Sequence, residues 1–136
     1  MIIELLYYWY LYDLGKGANR RGRRLELKPV IKFWLEMDGG YIFGEGPFEL
    51  LSRIQEFGTI RAAAKELGMS YRHAWGIVKT IERRIGKPIL KTHKGGRLGG
   101  GGAELTEDGK LLLNKYLEVK KVLSEMVDRL AGRLIA

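Results

Sequence analysis

The stretch 59-TIRAAAKELGMSYRHAWGIVKTIERRIGKPIL-90 decides the fold. Thr59 can cap a short helix whose inner surface is Ile60, Ala63, Ala64 and Leu67, and the alanines let another helix come close. Gly68 supplies a positive φ at the end of that helix without steric cost. Ser70 then caps a second, longer helix. Two helices joined through a short Gly-Met-Ser turn predict a helix-turn-helix. At about 100° per residue, with Ala74 at zero, Val78, Ile81 and Ile85 fall within about 40° of it and form a core stripe. The opposite face is Arg72, Gly76, Lys79 and Arg83, a basic ridge with a gap in it.

Glycine inside a helix costs about 1 kcal/mol relative to alanine, so Gly76 needs a reason. Close approach of a nucleic-acid backbone or base edge supplies one; the plainer alternative is an exposed face that tolerates a glycine. Tyr71 and Trp75 flank the ridge. Tyr71 is placed to stack or to hydrogen-bond, and Trp75 to pack partly buried while touching the same ligand. His73, near the helix N-terminus, suits a phosphate contact and not a metal.

Upstream, 25-LELKPVIKFWLEMDGGYIF-43 predicts a hairpin, with strands at 30–37 and 41–43 around an Asp-Gly-Gly turn. Gly44 and Gly46 break it, Pro47 opens a helix, and Phe48, Leu51, Ile54 and Phe57 share one face up to Gly58. Downstream, Gly86 and Pro88 end the second helix of the pair, and 89-ILKTHK-94 and 103-AELT-106 form two extended runs around 95-GGRLGGGG-102. That is the pattern of a β-hairpin wing, with Lys91, His93, Lys94 and Arg97 offered by it. So many glycines exceed what a hairpin turn needs, and predict a mobile tip that orders on DNA. Thr106 caps a last helix in which Leu112, Tyr116, Val119, Leu123, Met126 and Leu130 step by fours and threes, the seam of a coiled coil and the expected dimer interface. Leu113, Leu117, Val122 and Val127 widen the apolar face, so the helix is expected to pack on its own domain as well as on a second copy.

Charge sharpens the reading. The 136 residues carry a formal net charge of +8. Residues 61–97 hold ten Lys or Arg against two Asp or Glu, so one segment carries an excess equal to that of the whole chain. A localised basic patch is the footprint of polyanion binding. With no cysteine and two histidines, neither a disulfide framework nor a thiolate metal site is open to the chain. No metal, cofactor or small-molecule effector is expected. Side-chain amides are confined to Asn19, Asn114 and Gln55 while Lys, Arg, Glu and Ile are plentiful, the drift of proteins from hot environments. The apolar run 2-IIELLYYWYLYDL-14 is too short to span a bilayer, which takes roughly 20 residues, and has no cleavage signal. We read it as a packed element followed by a basic loop, and expect a cytoplasmic protein that does not engage membranes.

The glycines do not make an enzyme. A P-loop needs Gly-Lys-Ser/Thr opening a helix, and Ala103 and Glu104 follow Gly102; no register satisfies a dinucleotide loop either. A flexible linker predicts polar flanks, whereas Ile89-Leu90 and Leu105 flank this run.

The residues at 59–90, together with 95-GGRLGGGGAELTEDG-109, resemble the N-terminal DNA-binding domain of ModE-type, molybdate-responsive transcription regulators, and 33-FWLEMDGGYIFGEGPFELLSRI-54 fits the same domain. The layout is more distantly similar to LysR-type regulators. The resemblance covers roughly residues 30–130. It implies a winged helix-turn-helix of mainly α, small-β (α+β) class that binds double-stranded DNA as a homodimer, with the helix from Ser70 in the major groove and the long terminal helix dimerising. It also implies a departure, since the relatives carry oxyanion-binding domains and this chain stops at Ala136, so molybdate sensing is expected to be missing. The expected organisation is an aromatic element and basic loop at 1–24, a DNA-binding domain at 25–105 and a dimerisation helix at 106–136. Ser70, Tyr71, Arg72, His73, Trp75, Gly76, Lys79 and Arg83 of the recognition helix are the expected contacts, with Tyr71, Arg72 and Trp75 reading bases and the lysines and other arginines holding phosphates. A sequence-tolerant architectural DNA binder and a winged-helix protein-interaction module are the alternatives.

Overall fold

Asp38 and Gly39 both take positive φ, 53° and 73°, which makes the two-residue turn that folds β1 (Leu35–Met37) back on β2 (Gly40–Phe43). The computed structural model describes residues 27–95 and 101–134. The aromatic N-terminal element and its basic loop, the glycine tip at 96–100 and Arg97 lie outside these residues. The first strand is shorter than the sequence predicts: β2 offers four residues to pair with, and pairing stops at Leu35 beside a bulge.

Helix α1 (Glu45–Phe57) starts two residues before Pro47, with Gly44 as its cap. Pro47 is tolerated there because N–H groups in the first turn have no intrahelical partner. Its buried face is Leu50, Leu51 and Ile54 with Phe48 packed alongside; Phe57, expected inside, is 43% exposed at the C-terminus, while Leu50, not expected, is fully buried. Gly58 closes the helix at φ 73°, its N–H bonded to the Ile54 carbonyl. Thr59 caps α2 (Ile60–Glu66) by accepting from the Ala62 N–H at 3.0 Å, and Ser70 caps α3 (Tyr71–Ile85) by accepting from the His73 N–H at 3.1 Å. Both caps stand where the sequence puts them.

After α3 the chain forms a second antiparallel hairpin, β3 (Leu90–His93) with β4 (Gly102–Leu105), in the register Leu90 to Leu105 through His93 to Gly102. Ala103 N–H donates to the Gly58 carbonyl at 2.7 Å and ties this hairpin to the end of α1. Thr106 then caps α4 (Glu107–Leu134), accepting from the Gly109 N–H at 3.1 Å. At 28 residues this helix is about 42 Å long.

One core joins all of these elements: Phe43, Leu50, Leu51, Ile54, Ala63, Ala74, Val78, Ile89 and Tyr116 are at most 1% exposed. Tyr116 corrects the predicted seam. Its ring stacks on Phe33 at 4.5 Å, meets Phe43 edge-on at 5.5 Å and lies 4.9 Å from Phe48, while its hydroxyl donates to Glu45 Oε2 at 2.8 Å. Burial and the Glu45 carboxylate push its phenol well above the usual range. A residue so enclosed in its own domain has no face left for a second copy. Leu112 is likewise half-buried against the core. One turn beyond Tyr116, Lys120 still reaches the domain, its ammonium 2.7 Å from Glu45 Oε1 and 4.9 Å over the Phe48 ring, while Leu117, Val119, Val122, Met126, Leu130 and Leu134 are exposed. Among the described residues no helix is long and apolar enough to cross a membrane.

Candidate nucleic-acid interface

The sequence gives α3 two opposed faces, and packing fixes which one looks outward. Ala74, Val78 and Ile81 are buried and Ile85 half-buried, so Arg72, Gly76, Lys79 and Arg83 stand exposed on the far side. Among the described residues, a β-carbon added to Gly76 would meet nothing within 4 Å beyond its chain neighbours and its own helix backbone. Nothing inside the domain therefore requires a glycine there.

On one flank of the ridge the rings of Tyr71 and Trp75 lie nearly parallel, 10° apart with centroids at 6.4 Å. The Arg61 guanidinium stands over Tyr71 at 5.2 Å, and the Lys79 ammonium over Trp75 at 4.5 Å. Cation, ring, ring and cation thus form one ladder along α2 and α3. Arg61 was not among the expected contacts, because its approach to Tyr71 depends on the crossing of the two helices and leaves no trace in local spacing. On the other flank, an open groove of about 710 Å³ separates α3 from the first hairpin, lined among others by Tyr41, His73, Gly76, Thr80 and Arg84. Arg84 donates to the Tyr41 carbonyl and holds the hairpin against the helix.

Lys79 is less free than its place on the ridge suggests. Its ammonium contacts Glu82 Oε2 at 2.7 Å, and Glu82 Oε1 accepts from the N–H groups of Ile89 at 3.0 Å and Leu90 at 3.4 Å. Burial alone would raise the Glu82 carboxyl; the bonds from Lys79, Ile89 and Leu90 outweigh it and hold the group below the ordinary carboxylate range.

On the second hairpin Lys91, His93 and Lys94 are exposed, as are Ser70, Tyr71 and His73 at the start of α3, while Trp75 is half-buried. His93 Nε2 stands 3.5 Å from Glu104 Oε1 on the neighbouring strand. The structure thus brings the described ridge and wing residues onto exposed surface.

Residues 47–110 match the family described as "Bacterial regulatory helix-turn-helix protein, lysR family". The chain is 33% identical over 102 residues to the molybdenum-pterin-binding protein MopA of Rhodobacter capsulatus, covering 75% of this chain and 38% of that protein. It is 32% identical over 100 residues to the molybdenum transport protein ModE of Azotobacter vinelandii, covering 74% and 37%. It is 37% identical over 67 residues to the DNA-binding transcriptional dual regulator ModE of Escherichia coli K12, covering 49% and 25%. The chain thus spans well under half the length of these relatives. In shape it is similar to the protein in the crystal structure of the CbnR_DBD-DNA complex, with a TM-score of 0.50 at 23% identity over 64% of this chain and 93% of that one. That likeness establishes the winged helix-turn-helix fold.

Proposed function

We propose that the protein is a transcriptional regulator that binds double-stranded DNA sequence-specifically as a homodimer, a reading supported by the match of residues 47–110 to the bacterial regulatory helix-turn-helix family of lysR type and by the similarity to ModE-type proteins. The observation that carries the proposal is the ridge on α3, where two arginines flank a glycine whose missing side chain would point into open space.

The contacts divide by task. Arg72 reads a base edge in the major groove, with Tyr71 and Trp75 beside it, and Gly76 lets the duplex come near the helix axis. Arg83, Lys91, Lys94 and Arg97 hold phosphates, Lys79 adds the share of charge that Glu82 leaves it, and Ser70 and His73 lie at the helix N-terminus where a phosphate is favoured. Residues 25–105 carry these contacts, and residues 106–136 join two copies through Val119, Leu123, Met126 and Leu130, the part of the seam beyond the core.

Selection of bound duplexes from a random pool at physiological salt tests this reading. A palindromic consensus with half-sites about 10–10.5 base pairs apart, or a multiple of that, is the expected result. Uniform recovery of all sequences would instead establish the architectural alternative, and no recovery would favour a protein-interaction module.

A further inference from the structure

We propose that Glu82 is a positioning residue that sets the wing on the recognition helix and at the same time limits the charge Lys79 can offer to DNA. The inference rests on the DNA-binding reading above, but its first half concerns the free protein alone.

Glu82 sits in the last turn of α3, at the root of the wing, with a side chain 12% exposed. Its two oxygens do different work. Oε1 accepts the N–H groups of Ile89 and Leu90, where the chain leaves the Gly86 turn and enters β3. Oε2 takes the ammonium of Lys79, one turn back on α3. The same segment is held from the opposite side. The Pro88 carbonyl accepts the Thr106 hydroxyl at 2.7 Å, and the Ile89 carbonyl accepts the Thr106 N–H at 3.0 Å. Amides face the recognition helix and carbonyls face the start of α4, so residues 88–90 join three elements at one point. Ile89 itself is fully buried beneath. Thr106 fastens this segment to α4, and the Glu82 carboxylate is the hydrogen-bonded hold on it from α3. With the far strand tied to the end of α1 through Ala103 and Gly58, that carboxylate sets how β3, and with it Lys91 and Lys94, sits relative to Arg72 and Arg83.

The second role follows from the geometry of Oε2. An ammonium 2.7 Å from a carboxylate that is itself 12% exposed gives up part of its attraction for a phosphate. Glu82 thus trades non-specific grip for a fixed wing.

Two substitutions separate the roles. In Glu82→Gln the amide oxygen can still accept from Ile89 and Leu90, while its NH₂ repels Lys79. Amide exchange at Ile89 and Leu90 should stay slow, and the dependence of log affinity on log salt should steepen by about one unit as Lys79 turns to DNA, with sequence preference kept. In Glu82→Ala both roles go. Exchange at those two amides should quicken by tenfold or more in a protein that still unfolds cooperatively, and Lys94→Ala should cost less than half the affinity it costs in the wild-type background.

Equal exchange in wild type and Glu82→Ala, or a salt slope unchanged in Glu82→Gln, overturns the proposal. If the wild-type chain bound no duplex, the functional reading would fall on that measurement, and the exchange rates would still judge the hold of Glu82 on the wing.

Discussion

The inner and outer faces of α3 are built on the same fifteen residues and obey different physics. The inner face, Ala74, Val78 and Ile81, is apolar and closed, and each side chain there has its partners within the domain. The outer face, Arg72, Gly76, Lys79 and Arg83, is polar and open, and at Gly76 even a methyl group would touch nothing. The inner face is explained by the fold. The outer one calls for something outside the chain, and substitutions on the two should part cleanly between stability and binding.

The largest effect belongs inside. Ile81→Ala should lower folding stability by about 2–5 kcal/mol in urea unfolding, while the fraction still folded keeps the wild-type salt slope on DNA. Outside, Arg72→Ala should cost about 1–3 kcal/mol on the preferred site and relax the preference at one base pair, with the unfolding midpoint unmoved. Equal losses on every duplex would make Arg72 a phosphate contact instead. Gly76→Ala is the sharpest contrast, since it should raise stability by about 1 kcal/mol and yet weaken specific DNA binding. Were affinity retained, the duplex would not approach that position.

On the wing, Lys94→Ala should weaken all sequences alike and flatten the salt slope by about one unit. The smallest effect is one of pH. The folded protein holds Glu82 below its ordinary value of 4.5, so its contribution to stability is full above that value and fades as pH falls through the lowered one. Glu82→Gln should therefore flatten the acid limb of a stability-against-pH curve below about 4.5 without altering the neutral plateau's dependence on pH.

Much of the inner face was legible in the sequence. Hydrophobic periodicity places the α3 stripe, and Thr59 and Ser70 announce their helices because a hydroxyl before a helix has one obvious donor to accept from. The second hairpin follows from two extended runs around glycine. Tyr116 was not legible as a core residue, because a heptad records that a position is apolar and leaves open whether its partner is the same chain or another. The rings of Phe33, Phe43 and Phe48 close around it only once β1, β2 and α1 are assembled. On α1 Phe48, Leu51 and Ile54 pack inward at the expected spacing; Leu50 adds to that face, and Phe57, seven residues on and on the same side, is exposed because it is the last residue of the helix. The engagement of Lys79 with Glu82 stands at the (i, i+3) spacing that helices favour. Its second use, on the amides of Ile89 and Leu90, needs the turn at Gly86 to bring the chain back.

Gly109 holds a last consequence. A β-carbon there would overlap the Ile89 carbonyl oxygen, a backbone atom that cannot step aside. Any side chain at this position must lift the start of α4 away from the wing root, and a helix about 42 Å long works as a lever arm. Over the roughly 37 Å from Gly109 to Leu134 a tilt of about 5° becomes a displacement of about 3 Å, so the reach of α4 is calibrated at a single hydrogen atom near its pivot.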